Sequence, residues 1–320
     1  MNGTLEIVTT RHNPLIDPRL AVWGWEIPVY LFLGGLVAGL LVLGAAYELR
    51  HPDKPRSNAL RLMPFAAVVL LSLGMLALFL DLAYKLHVYR FYLALEWTSP
   101  MSWGSWILVL AYPVALLSGL GSLPEAWREK LLGWKPVAPL LRRLLAWADD
   151  GRRTILKLSV ATGIGLGLYT GLLLGTLAAR PQWNTAVLGP LFLASGVSTG
   201  AAFLLFFKLE DDEHHFVVRW DVAAIAVELA LIAVMLVGFA AGDRTAQHAY
   251  YHLMGGPWTS AFWSLVVGAG LLVPLALELI GLRRKLPLAA VAPVLILVGG
   301  LSLRFILLLA GQASSFREFP

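Results

Sequence analysis

Three ionisable side chains stand inside long apolar runs of the sequence: Asp81, Glu228 and Arg304. A charge within a lipid bilayer is costly, so ionisable groups in such runs are candidates for ion or proton transfer. Two interpretations stay open for Glu228, the deepest of the acids: a proton relay that includes Arg304, or a hydrogen bond that joins two helices. Glu48 and Glu278 lie near the ends of apolar runs beside arginines, where pairing and extension toward the interface explain them.

An aromatic segment at 85–106 carries a second group of candidates. It places His87, Trp97 and Trp103 among tyrosines, serines and Pro100. Tryptophan and tyrosine are common where helices meet the membrane surface. That preference alone does not explain the run Thr-Ser-Pro-Met-Ser-Trp-Gly-Ser-Trp at 98–106. The mixture of aromatic and small polar side chains suits a pocket for a flat, partly polar ring.

The sequence contains no cysteine, which excludes disulfides, cysteine-ligated iron–sulfur clusters and thiol nucleophiles from this chain. A membrane haem needs histidines that project from helices into a bundle. The seven histidines fall in predicted loops, in the N-terminal segment or at helix ends, although an outer site formed by His87 and His248 stays open. We therefore expect no metal, haem or iron–sulfur cluster here. Electrons would arrive on a diffusible organic carrier, and the metals would belong to a partner.

The elements that must position these residues are membrane-spanning helices. Of the 320 residues 58% are hydrophobic and 14% charged, and the mean hydropathy is +0.72; a span needs roughly 20 apolar residues. The sequence thus predicts an all-α integral membrane protein with eight transmembrane helices. The net charge of +5 does not indicate nucleic acid, because basic residues of membrane proteins mostly mark loop topology. The predicted spans are 25–48, 61–84, 103–121, 155–179, 187–208, 221–242, 258–281 and 287–310.

The distribution of basic residues predicts the orientation. Seventeen of the 25 Lys and Arg residues fall in the odd-numbered connections. The positive-inside rule therefore places those connections in the cytoplasm and both termini outside the inner membrane. Residues 1–24 and 311–320 would be outer segments, and the start of the chain lacks the pattern of a cleavable signal peptide. The connection 122–154 suits a helix in the inner interface, and a solvated linker helix is the alternative.

A shift of 161 residues brings parts of the sequence into register with each other. Gly35 and Gly39 then meet Gly196 and Gly200, and Trp-Thr-Ser at 97–99 meets Trp-Thr-Ser at 258–260. We interpret this as a duplicated unit of four helices. Four is an even number, so the copies would share one orientation as a parallel repeat. The predicted domains are a first four-helix bundle at 25–180 and a second at 181–310.

Glycines recur at every fourth position along the fourth predicted span, from Gly163 to Gly175. Such a stripe lets another helix approach closely. A flat ligand ring is the alternative neighbour.

Three segments resemble the NrfD/PsrC family, the polysulfide reductase-type membrane subunits of molybdopterin oxidoreductase complexes. They are Leu-Phe-Leu-Gly-Gly-Leu-Val-Ala-Gly at 31–39, the run at 98–106, and Tyr-Thr-Gly-Leu-Leu-Leu-Gly at 169–175. The similarity covers nearly the whole chain, and its specific part lies in the first four helices. The Trp-Gly-x-Trp pattern after Thr-Ser-Pro is the strongest of the three.

The resemblance implies two four-helix bundles and a menaquinone or ubiquinone site near the outer face of the first. It also implies an iron–sulfur subunit above that site, which connects to a molybdopterin catalytic subunit. By position, Tyr169 matches the family's quinone-binding tyrosine. Tyr30 stands where some members have another polar contact, and His87 or Asp81 could supply the second carbonyl contact instead.

The resulting hypothesis is a quinone-reactive membrane anchor that is not by itself catalytic for the terminal substrate. Tyr30 and Tyr169 would hold the two ring oxygens, Trp97, Trp103 and the glycine stripe would pack against the ring, and Asp81 and His87 would move protons. The alternatives are a secondary transporter and a passive anchor without a quinone site. A transporter would show broken helices and polar clusters at the membrane midplane, whereas the polar residues of this sequence gather toward the outer face.

Overall fold

A computed structural model describes residues 23–93, 95–177, 179–281 and 291–314. It confirms the all-α membrane fold: eight helices in this part of the protein are long and apolar enough to cross a bilayer, and no strand occurs there. The chain is a multi-span membrane protein. The helices are α1 (Glu26–Arg50), α2 (Asn58–Asp81), α3 (Pro100–Ser122), α4 (Arg152–Gly175), α5 (Leu188–Leu205), α6 (Asp211–Ala241), α7 (Thr259–Gly281) and α8 (Val291–Ala313).

The two ends of the helix array differ in chemistry. We call the end that holds the connections 51–57, 123–151 and 206–210 the basic end, and the end that holds 82–99, 176–187 and 242–258 the aromatic end. At the basic end Glu48 pairs with Arg56 and with Arg152, the latter at 2.5 Å. Burial lowers the pKa of Arg56, and the Glu48 carboxylate opposes that effect. Which side of the membrane each end faces stays a prediction.

Each set of four consecutive spans packs as a closed ring. In the first set α1 packs against α2, α2 against α3, α3 against α4 and α4 against α1; the second set, α5 to α8, repeats this order. The rings meet along α1, α4 and α5. The duplication and the domain boundaries stay predictions.

The contact between the two rings is made by small residues. A Cβ atom at Gly39 would overlap the carbonyl group of Gly196, and it would also meet the Cα atom of Gly200. Gly35 lies against Gly196 as well. Since glycine has no side chain, α1 and α5 approach with their backbones in contact. The glycines that the shift of 161 residues aligned are therefore the ones that pack on each other.

The glycine stripe of α4 also serves helix packing. Gly163 lies against Ala38 and Leu41 of α1, Gly167 lies against Leu193 of α5, and Gly171 lies against the Leu188 carbonyl. Helices already fill the grooves that these three glycines leave. The hypothesis that a ligand ring packs on this stripe is therefore corrected.

Helix α6 begins ten residues before the predicted start at 221. Glu210 and Glu213 form a capping box, in which each side chain accepts a hydrogen bond from the other residue's backbone. Asp211 and Asp212 also lie in the first turn, where acidic side chains favour a helix N-terminus. Hydropathy follows the apolar run and misses this polar extension.

Helix α7 is widened in its middle, with π-helical geometry from Phe262 to Leu272. Pro274 lies two residues after this stretch and cannot donate to the carbonyl of Gly270, so the regular pattern of hydrogen bonds is interrupted there. Gly270 packs on Gly299 of α8. The long connection at the basic end holds two further helices, Glu125–Leu132 and Ala138–Asp150.

Candidate functional site

The centre of the candidate site is a pair of buried tyrosines at the aromatic end of the first ring. Tyr30 lies near the start of α1 and Tyr169 lies near the end of α4, and their hydroxyl groups are hydrogen-bonded to each other. Both side chains are buried, with 5% and 6% of their surface exposed. The sequence named both residues, and the structure brings them together. Because the hydroxyls are adjacent, they can act on one acceptor together and not on two oxygens at opposite sides of a ring.

Gly104 of α3 makes room for Tyr169. A Cβ atom at Gly104 would overlap the Tyr169 ring, so only glycine lets the ring occupy this position. Gly104 is the glycine of the Trp-Gly-x-Trp pattern at 103–106. The sequence predicted a role for this pattern but did not identify its partner, because α3 and α4 meet only in the folded protein.

A cavity of about 530 Å³ opens at the aromatic end of the first ring. It lies between the end of α2, the segment 84–91 and the start of α3, and its lining is mostly apolar. His87, Arg90, Glu96 and Ser102 supply the polar groups of its wall. His87 is thus one of the residues that line this cavity, and its role in proton transfer stays a prediction.

The tryptophans of the aromatic segment are exposed. Trp97 has 73% and Trp103 has 42% of its surface accessible, and Trp103 Nε1 donates to the Trp97 carbonyl at 2.8 Å. Glu96 accepts hydrogen bonds from Thr98, which lower the pKa of its carboxyl group. Ser105 Oγ donates to the Phe91 carbonyl at 2.9 Å and fixes the segment on α3. These tryptophans form a surface at the aromatic end, and neither lines the cavity described above.

Asp81 ends α2 and is partly exposed. The charge that acts on the Asp81 carboxyl group is that of Glu26, at the start of α1. The two acids stand at the edge of the first ring at its aromatic end, on the same two helices that pack around Tyr30.

The second ring holds the other two predicted residues. Arg304 of α8 donates to Ser195 Oγ at 2.6 Å and to the Phe192 carbonyl at 3.1 Å. Its guanidinium group also lies 4.5 Å from the centre of the Phe192 ring. Glu228 of α6 interacts with Ser195 and with the charge of Arg304. Both charged residues are buried inside the second ring, and Ser195 interacts with both of them.

Two further acids belong to the same polar group: Asp221, which the sequence analysis did not name, and Glu278, which it did not count among the functional candidates. Asp221 of α6 accepts a hydrogen bond from Ser198 Oγ at 2.7 Å, and Glu278 of α7 acts on it directly. Glu278 is buried, with 7% of its surface exposed, and it takes part in no ion pair within the described part of the protein. Its assignment to pairing with arginines is therefore corrected. Asp221 stands seven residues before Glu228, which puts both on one helix face; that spacing was the available signal.

These residues form a polar column through the second ring. Arg304, Ser195 and Glu228 lie toward its middle, and Ser198, Asp221 and Glu278 follow toward the basic end. The polar residues of the second ring thus extend from its middle toward the basic end, in contrast to the expectation that the polar residues of the sequence gather toward the outer face.

The chemistry available at the tyrosine pair is hydrogen-bond donation to an oxygen acceptor. A phenol is both donor and acceptor. In a pair, one hydroxyl hydrogen is used between the two oxygens and the second remains for an incoming acceptor. A quinone offers such acceptors, because its polar groups are its ring carbonyls. The hydroxyl pair and the largely apolar cavity lie at the same end of the first ring, and neither tyrosine is among the residues that line the cavity.

Comparison with known proteins adds an independent finding. The family described as "Polysulphide reductase, NrfD" matches residues 12–315 of this protein. Protein NrfD of Escherichia coli is 32% identical over 306 residues, which make up 91% of this protein and 95% of the relative. A polysulfide reductase chain of Wolinella succinogenes is 31% identical over 305 residues, with 91% and 94% covered.

A third relative is more distant. A selenate reductase subunit of Mesobacillus selenatarsenatis is 24% identical over 317 residues, which make up 90% of this protein and 73% of the relative. The family match spans nearly all of the eight-helix fold, including the tyrosine pair and the aromatic segment. The chain therefore belongs to the NrfD family of polysulfide reductase-type membrane proteins.

Proposed function

We propose that this protein is the membrane subunit of a reductase complex and that it exchanges electrons and protons with a membrane quinone, menaquinone or ubiquinone. The observation that carries the proposal is the hydroxyl pair of Tyr30 and Tyr169, which is buried at the aromatic end of the first ring. A largely apolar cavity opens at the same end. Two of the relatives belong to a polysulfide reductase and a selenate reductase, which supports the role of reductase subunit.

The tyrosine pair would bind and orient one ring oxygen. One hydroxyl would donate a hydrogen bond to the ring oxygen, and the other would hydrogen-bond to that first hydroxyl. Gly104 leaves the space that the Tyr169 ring occupies. When bound, a quinone supplies two-electron chemistry coupled to protons. The other ring oxygen would face the cavity wall, where His87 and Ser102 can donate hydrogen bonds.

Asp81 and His87 would exchange protons with the surface at the aromatic end. Histidine is the side chain whose charge ordinarily changes near neutral pH. Asp81 lies beside Glu26, so a proton that arrives there meets two carboxyl groups. His87 is exposed and lines the cavity, which places an imidazole between the surface and the proposed ring site.

An iron–sulfur partner would dock on the aromatic end and connect this protein to a molybdopterin catalytic subunit. Trp97 and Trp103 support this part of the proposal, because large exposed aromatic side chains are typical of contact surfaces between proteins. The aromatic end would then face the outside of the inner membrane, together with both termini.

Glu228, Ser195 and Arg304 would form a proton path within the second ring. The three groups are buried and joined. Replacement of Glu228 by Gln tests this part, since the amide keeps the shape of the carboxyl group but cannot carry its proton. Unchanged proton movement during turnover of the assembled complex would remove Glu228 from the path.

The experiment that tests the proposed function is gentle purification of the protein from its membrane, followed by measurement of its quinone content and of the masses of co-purifying proteins. We expect bound quinone and an iron–sulfur protein. A folded preparation that holds neither would overturn the assignment as a quinone-reactive reductase subunit.

A secondary transporter is the second candidate, because the buried polar column of the second ring and the interrupted helix α7 are features that a transporter predicts. The purified protein in liposomes discriminates between the two. Transport of an ion or solute by the protein alone would favour the transporter.

A further inference from the structure

The acids Asp221 and Glu278 meet inside the second ring, toward its basic end. Asp221 lies ten residues after the start of α6, about 15 Å along the helix axis, and Glu278 lies three residues before the end of α7. Asp221 is fully buried and Glu278 is 7% exposed. Their carboxyl groups are close enough to act on each other directly.

The oxygens of this pair are largely without partners. Asp221 Oδ1 accepts the hydrogen bond from Ser198. Within the described residues, Asp221 Oδ2 and both carboxyl oxygens of Glu278 are buried and accept no hydrogen bond from an N–H or hydroxyl donor. The hydrogen-bonding contact open to them is the one between the two carboxyl groups. Three buried oxygens of two neighbouring carboxyl groups therefore lack a donor.

No basic side chain among the residues that the structure describes compensates the pair. The charges that act on Asp221 are those of Glu278 and Glu228, and both are acidic. Arg304, the buried cation of this ring, is bonded to Ser195 and acts on Glu228. Glu228 stands two turns from Asp221, about 10 Å along α6.

Two uncompensated carboxylates cannot both stay ionised in such a place. Removing a charge from water is unfavourable even after the protein relaxes around it, and two like charges at one site raise that cost further. A buried charge without a partner is neutralised by a proton instead. One proton between the two groups removes one charge and supplies the donor that the unpartnered oxygens lack.

We propose that Asp221 and Glu278 share a single proton and form a proton-binding site in the second ring. Ser198 holds one oxygen of Asp221, so the shared proton lies on the side that faces Glu278. This site is separate from the tyrosine pair, and it exists whether or not a quinone is bound.

Infrared difference spectroscopy of the purified protein at neutral pH tests the proposal. The spectrum of the double variant Asp221→Asn, Glu278→Gln is subtracted from that of the unchanged protein. We expect the loss of one protonated carboxyl band, which shifts in D₂O, and of one carboxylate band. Two carboxylate bands and no protonated band would overturn the proposal, as would two protonated bands.

A second measurement does not depend on the folding of variants. A hydrophobic carbodiimide reacts with protonated carboxyl groups from the lipid phase, and mass spectrometry identifies the modified peptide. We expect one modification per molecule, at Asp221 or Glu278, with Glu26 and Asp81 as carboxyl groups for comparison at the aromatic end. Absence of label from both residues would overturn the proposal. Label that sodium ions suppress would also overturn it, because the pair would then hold a metal cation.

Discussion

The hydroxyl groups of Tyr30 and Tyr169 are hydrogen-bonded to each other although 139 residues separate them in the sequence. One belongs to α1 and the other to α4, so the contact depends on the way the first ring closes. Since the two oxygens are adjacent, the proposed site presents one hydrogen-bond donor to a ring oxygen and a second hydroxyl that supports it. The distal oxygen of the ring must be held by the cavity wall.

Gly104→Ala should displace the Tyr169 ring. The added methyl group would overlap the ring, and inserting a methyl group into a packed core costs about 1–3 kcal/mol. We expect a lower melting temperature in detergent and a loss of quinone-analogue binding. Gly34→Ala is the matched control, because its Cβ atom would meet nothing within 4 Å. Equal analogue binding by both variants would contradict the role given to Gly104.

Gly39→Ala should separate the two rings. Its methyl group would meet the backbone of Gly196, which cannot move aside as a side chain can. We expect a larger loss of thermal stability than for Gly44→Ala, a glycine of the same helix whose Cβ atom has open space. The measurement is the melting temperature of the purified variants. Equal melting temperatures of the two variants would show that this contact does not hold the rings together.

Glu48→Gln should destabilise the basic end. Glu48 pairs with Arg56 and Arg152, and its side chain is only 12% exposed. Removing one member of a poorly hydrated group of charges leaves the others uncompensated, at a cost of up to about 3–5 kcal/mol. Asp212→Asn breaks the exposed pair with Lys54, and exposed pairs contribute below about 1 kcal/mol. Equilibrium unfolding compares the two, and a smaller effect of Glu48→Gln would contradict the arrangement.

The spans were predictable because long apolar runs have few folds available to them in a membrane. The start of α6 was not, because the capping box of Glu210 and Glu213 is polar and hydropathy does not register it. Tyr169 could be named from the Tyr-Thr-Gly segment through the family resemblance. Its contact with Gly104 joins two different helices, and a pattern within one helix cannot predict such a contact.

The acids of the second ring show the same limit. Glu278 lies near a helix end beside arginines in the sequence, which suggested ordinary pairing. In the fold it turns inward and meets Asp221, because α7 packs against α6. The spacing of Asp221 and Glu228 places both acids on one face of α6, but only the packing of α5, α7 and α8 around that face makes them a buried group.

The central claim is that the tyrosine pair binds one quinone oxygen, and a double-mutant cycle tests it most directly. Affinity for a quinone-site analogue is measured for Tyr30→Phe, Tyr169→Phe and the double variant. Tyr112→Phe is the control, because it removes a hydroxyl that bonds to Ser72 on the α2–α3 side of the same ring.

A hydrogen bond contributes about 0.5–1.5 kcal/mol, so each single change should weaken binding roughly two- to tenfold. The double change should cost no more than about the larger single loss, because both hydroxyls serve one oxygen. Tyr112→Phe should bind like the unchanged protein. Unaltered affinity in folded Tyr169→Phe, or a double loss equal to the product of the single losses, would contradict the account.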